Sequence, residues 1–185
     1  EHVGEIERKI RVVKERARCT TSILPYDILP KIMIIELMHF CVMWMNSFPV
    51  KSGISEKWSP REIVSRHRLD AKLHCKVPFG AYCEIHVDPD ITNTMEPRTG
   101  WAICLGPTGN MQGSYKFLSL TTGKKVTRRK FTEMPITDSV IRRVNSLGKK
   151  ERCKSGLSFK NRKGEKYVFD NEDEYDMTAE TSTPA

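Results

Sequence analysis

The chain has no paired cysteines. Its six (Cys19, Cys41, Cys75, Cys83, Cys104, Cys153) are irregularly spaced and form no CxxC pair. That removes the paired-thiol metal modules and the dithiol redox motif from consideration. No signal peptide precedes them, so reduced thiols in a cytosolic or nuclear protein are expected, and not a secreted one. No serine stands in a nucleophile elbow and no Cys–His pair has a suggestive setting, so nucleophilic catalysis has no support. "GPTGNMQG" is glycine-rich but lacks the Lys-Ser/Thr of a phosphate loop, and between strand-like runs it reads as a hairpin turn. No internal repeat is present. His74, Cys75, Cys83 and His86 are close in sequence, yet on a strand Cys83 and His86 fall on opposite faces, which argues against zinc.

Long apolar runs are nearly absent too. The one candidate, "KIMIIELMHFCVMWMNSF" (residues 31–48), is broken by Glu36 and His39 and falls short of the roughly 20 apolar residues of a membrane span. It reads as a buried core helix with no membrane partner.

What is present is charge. Of 185 residues 29% are charged, and the net charge is +8. Such an excess points to a polyanionic partner, most often nucleic acid. The 38% hydrophobic content permits a real core in one medium domain or two small ones. The chain opens at Glu1, already inside a helical pattern, and so reads as a piece of something longer.

In the first helix Ile6, Ile10, Val13 and Ala17 share one face, the spacing of a packed amphipathic helix. At about 100° per residue, Glu7, Arg11, Lys14 and Arg18 share a neighbouring face. That stripe is either a solvated salt-bridged face or a carboxylate beside a track for phosphates. "SPREI" begins a short helix, with Ser59 as N-cap, Pro60 at the first helical position and Glu62 closing a capping box. After Cys75 the period changes. "VPFGAYCEIHV", "WAICLG", "GSYKFLSL" and "KKVTRRKF" read as short strands, separated by the turn chemistry of "DPDITN", "PTGN" and "TTGK". A small, strongly bent barrel is expected. Lys124, Lys125, Arg128, Arg129 and Lys130 fall on one strand-turn unit near Tyr115, Lys116 and Phe117. With those aromatics they are either a surface for nucleic-acid backbone contacts or a charge-protected sheet edge. "TDSVIRRVNSLG" predicts a short helix stopped by Gly148. Beyond it lies a segment first basic, then acidic ("DNEDEYD"), expected to be a flexible tail.

The words themselves carry a resemblance. "HVGEIERKIRVVKERAR", "VMWMNSFP" and "SPREIVSRHRLDAKLHCKVPFGAYCEIH", followed by "MEPRTGWAICLGPTGNMQGSYKFLSLTTGKKVTRRKFTE", resemble in that order the integrase portion of copia-type retrotransposon polyproteins. "GEIER" stands where the family has the helix bearing the last acid of an Asp-Asp-Glu site, so Glu7 matches that acid, with Glu5 as the competing position. "SPREI" matches the family's connecting helix, and "GSYKFLSLTTGKKVTRRKF" matches the end of its barrel.

The resemblance implies an α+β chain. Residues 1–70 would be the C-terminal helices of a ribonuclease-H-like core with the connecting helix, and 71–136 a small SH3-like β-barrel that binds nucleic acid. Residues 137–148 would be a short helix, and 149–185 a flexible charged tail. Arg11, Lys14 and Arg18 would hold phosphates of the element ends and target DNA. Glu7 would be one of three acids holding Mg²⁺ or Mn²⁺ in the full-length enzyme, a homo-oligomer working in nuclear and cytoplasmic retrotransposon particles. The two upstream aspartates are not in this sequence, so this chain alone should not catalyse. The alternative is a non-enzymatic nucleic-acid or chromatin-binding barrel module.

Overall fold

A computed structural model describes residues 4–51, 53–86, 95 and 97–157. The elements are α1 (Gly4–Ile23), α2 (Lys31–Met45), α3 (Pro60–Ser65), α4 (Ala71–His74), β1 (Tyr82–His86), β2 (Thr99–Pro107), β3 (Tyr115–Ser119), β4 (Lys125–Arg128), β5 (Phe131–Glu133) and α5 (Asp138–Lys150). The class is α+β, helices with one antiparallel five-stranded sheet.

The strand order is β4-β3-β2-β1-β5, so the two edge strands are neighbours in sequence, joined only by Arg129 and Lys130. Laid flat, four inter-strand gaps would hold them about 19 Å apart. The three Cα–Cα steps from Arg128 to Phe131 reach at most about 11 Å. The sheet therefore curls until its edges approach. Two hydrogen bonds mark the place: His86 N–H donates to Lys130 O (3.3 Å), and Arg128 Nε donates to His86 O (2.7 Å).

The period-2 pattern sorts side chains to the two faces of the curl. Cys83, Ile85, Ala102, Cys104, Tyr115 and Phe117 fill the concave side, with Val126 and Phe131 against them. Phe131 closes that core, its ring 4.9 Å from Tyr115 and 5.2 Å from Phe117. Ile103, Leu105, Leu118 and Leu120 project from the convex side into a second core with the helices. Buried on both faces, β2 reads as a continuous apolar run where a one-sided strand would alternate. A register shift lies between Cys104 and Gly106, where Gly106 takes φ +99° and a Cβ would strike the Phe40 ring at 2.7 Å. Only glycine meets both demands.

The capping box expected for α3 is made. Glu62 N–H donates to Ser59 Oγ, and Ser59 N–H donates to Glu62 Oε2. α1 differs from the expectation of a packed face. Ala17 is fully buried, but Ile6 and Ile10 are 58% and 46% exposed, because α2 covers only the later turns of that stripe. α2 also departs from a core helix buried all round. Met33, Leu37 and Cys41 are buried, Met38 and Trp44 are half-buried, and Ile35 and Val42 are exposed. Among the described residues no helix is long and apolar enough to cross a membrane.

α5 packs Val140 and Val144 into the helix–sheet core and runs on to Lys150, past the stop expected at Gly148. Gly148 instead sits where two segments meet, and a Cβ there would lie 2.7 Å from Ile28 Cγ2 and 2.8 Å from Ile28 O. Asn145 docks beside it, its Oδ1 accepting from Ile28 N–H (3.1 Å). Residues 149–157, expected to begin the tail, are tied down. Glu151 Oε2 accepts from Lys31 N–H, Gly156 N–H donates to Asp27 O, and Leu157 packs on the core. Residues 158–185, and the turn "DPDITN", lie outside the described residues.

Candidate nucleic-acid interface

Two basic tracks need placing. The first is on α1, where helical spacing sets Glu7, Arg11, Lys14 and Arg18 along one stripe. Glu7 and Arg11 are exposed, and Lys14 and Arg18 are half-buried. Partial burial lowers the Lys14 pKa, and the Arg18 charge adds to the shift. Arg11, Lys14 and Arg18 place like charges three and four residues apart on the helix, where they repel one another. Glu5 has its backbone in α1, and its side chain lies outside the described set.

The second track runs along β4 and the bend that follows it. Lys124, Arg129 and Lys130 are exposed, the first in the β3–β4 turn and the other two at the corner joining the sheet edges. Arg128 serves the fold, because its guanidinium binds His86 O and Thr127 O across the closing edges. Lys125 turns the other way. Its Nζ lies 2.8 Å from Glu36 Oε1, and Lys116 Nζ lies 2.8 Å from Glu36 Oε2.

Glu36 is only 3% exposed and sits in the apolar helix α2. Burial alone would raise its pKa, but hydrogen bonds and charge from Lys116 and Lys125 outweigh it and hold the carboxyl at about 2. His39 Nδ1 stands 3.6 Å away on the solvent side. One buried carboxylate thus pins α2 to β3 and β4, and it draws Lys125 of the expected track, with its neighbour Lys116, toward the protein. The signal was there to read. A lone acid inside an apolar helix is a buried charge in need of a partner, and its partners lie on strands far away in sequence.

The aromatic half of the expected surface is not where the sequence suggested. Tyr115 and Phe117 are fully buried in the concave core, because their alternation points them inward while Lys116 points out. On the convex face the half-buried Tyr82 stacks beside Trp101, with ring centroids 5.6 Å apart at 29°. Trp101 is 45% exposed, and Glu84 faces it across the β1–β2 ladder, which disfavours a phosphate there.

Two of the four candidates for zinc, His74 and Cys83, are engaged elsewhere, and Cys75 and His86 are exposed. His74 is buried, with Nδ1 against Asp70 and Nε2 against Asn110 O, and Cys83 lies in the concave core. Among the described residues no three His, Cys, Asp or Glu side chains converge as a metal site. Glu7 would supply one ligand only, so these residues do not by themselves fit a divalent pair.

The chain matches no family model, no curated protein and no solved structure.

Proposed function

We infer that this chain is the C-terminal part of a copia-type retrotransposon integrase and acts as a DNA-binding module. The observation that carries the reading is the ordered set of motifs ending in "GSYKFLSLTTGKKVTRRKF", whose bases Lys124, at one end of β4, and Arg129 and Lys130, at the other, stand exposed. The curled five-stranded order β4-β3-β2-β1-β5 supports the SH3-like barrel. The α1–α2 pair fits the last helices of a ribonuclease-H-like core. In this reading Glu7 is one of three acids, and the remaining ligands for Mg²⁺ or Mn²⁺ come from outside this sequence. Arg11, Lys14 and Arg18 hold phosphates of the element end or target strand. Homo-oligomeric assembly and work in nuclear and cytoplasmic particles belong to the same proposal.

The test is binding to two duplexes of unrelated sequence, followed by anisotropy across a salt series. Contacts to the backbone make log affinity fall linearly with log salt, with the same slope for both sequences. A flat response would sink the DNA-binding reading. In the longer enzyme, Glu7→Gln should abolish strand joining and leave DNA affinity within about twofold, since it removes a charge that repels phosphates. A variant that still joins strands removes Glu7 from the catalytic role. The role of the last acid then passes to the competing position, Glu5.

A further inference from the structure

On the convex face of the sheet one acid stands where the helices stop covering it. In the register Glu84 lies opposite Trp101 of β2 on one side and Thr132 of β5 on the other. Side chains paired in this way on one face have Cβ atoms about 4.5–5.5 Å apart. Tyr82 sits two residues along β1 on the same face, and its ring stacks on Trp101. Tyr82 and Leu120 pack with the helix–sheet core, whereas Trp101 lies outside it, at the rim. The stack takes one face of the indole, and the residue is still nearly half exposed.

On a chain of net charge +8 an acid has many bases to choose from. Among the described residues, however, no cation pairs with the half-buried Glu84. His86 follows two residues along β1, and Lys130 stands opposite His86, yet neither forms an ion pair with it. Burial and then the Glu84 charge push the Tyr82 hydroxyl up, so the carboxylate is felt at that ring as well.

An indole face beside such a carboxylate has the chemistry of a cation site. The ring attracts a cation over its face, and the acid accepts hydrogen bonds from it. We propose that Trp101, Tyr82 and Glu84 bind an arginine side chain of a basic peptide. A guanidinium is planar, stacks on an aromatic face and offers two parallel N–H donors to a carboxylate. A quaternary ammonium is held by rings on several sides, and these two rings stack on each other without enclosing a space. A nucleobase suits the same indole less well, because its phosphates meet Glu84. An open rim also favours a side chain presented by a peptide over a free small cation, which needs an enclosing pocket. The proposal stands apart from DNA binding.

The test is a titration of the isotope-labelled full chain, read by NMR at the Trp101 indole N–H. The probe is a short Gly/Ser peptide with one central arginine, compared with the same peptide bearing citrulline, which keeps the shape and loses the charge. Expected is a saturable shift at millimolar arginine peptide, with citrulline at least about threefold weaker. Glu84→Gln keeps the size of the side chain and should weaken the arginine peptide by about threefold or more, to near the citrulline level. The citrulline comparison uses the unchanged chain, so it holds whatever the variant does to folding. Equal affinity for the two peptides, no saturable shift, or arginine binding unchanged by Glu84→Gln overturns the proposal. So does tighter binding of a trimethyllysine peptide, of free argininamide or of a short single-stranded oligonucleotide at the same indole, each of which names a different occupant.

Discussion

Glu36 shows how one side chain can fix a fold and limit the basic surface beside it. Its folded pKa of about 2 lies below the ordinary 4.5, so its stabilisation is fully present above about pH 4.5 and is lost as pH falls toward 2. Glu36→Gln should cost about 2 kcal/mol at neutral pH. That is below the roughly 3 implied by the shift alone, because Lys116 and Lys125 are partly solvated and keep some hydration when the carboxylate goes. Urea denaturation at pH 7 and pH 3 checks the sign, and the gap between variant and parent should shrink by more than half at pH 3. An equal gap at both values would mean that Glu36 acts through packing and not through its charge. The thiols give a second residue-scale prediction. Burial, reinforced for Cys83 by Glu133, pushes Cys83 and Cys104 up to about 12, while Cys19 and Cys75 are exposed. Maleimide should label Cys19 and Cys75 in the folded chain and reach Cys83 and Cys104 only after denaturation. Early labelling of Cys83 would contradict the closed concave core.

At the scale of elements, local chemistry was legible and tertiary contact was not. Ser59, Pro60 and Glu62 announced α3, because a capping box is satisfied by residues three apart. The strands β1 to β4 were visible in their period and their turns, since "PTGN" and "TTGK" carry their own conformational reasons. Gly148 was misread because a glycine near a helix end has two physical uses. It can stop the helix, or it can let another chain segment come close, and only the structure brings Ile28 against it. Gly148→Ala separates the two. Helix propensity alone favours the change by about 1 kcal/mol. A Cβ 2.8 Å from a backbone oxygen forces α5 away from residues 27–28, so a net loss of about 1–3 kcal/mol is expected by thermal or urea unfolding. A more stable variant would return Gly148 to the role of a mere stop. The α1 stripe belongs to the same lesson. Its spacing told which side chains share a face, but the cover that α2 leaves off Ile6 and Ile10 is set by where α2 sits, which no local pattern encodes.

For the molecule as a whole, +8 is an average over charges with different duties. Arg128 closes the sheet edges and Lys116 and Lys125 hold Glu36, whereas Arg129 and Lys130 stand exposed at the corner and Lys124 in the β3–β4 turn. A count of bases in "KKVTRRKF" therefore overstates the surface open to phosphate, and that difference is measurable. Removing one cation that neutralises a phosphate should lower the slope of log affinity against log salt by about 0.9. Arg129→Ala with Lys130→Ala should lower it by nearly two such steps and weaken binding on unrelated sequences alike. Lys125→Ala should leave the slope nearly unchanged while lowering stability, because its charge is committed to Glu36. If Lys125→Ala flattens the slope as much as Arg129→Ala does, the ion pair opens when DNA arrives. The basic track would then be continuous along β4, and α2 would be free to move against the sheet in the bound state.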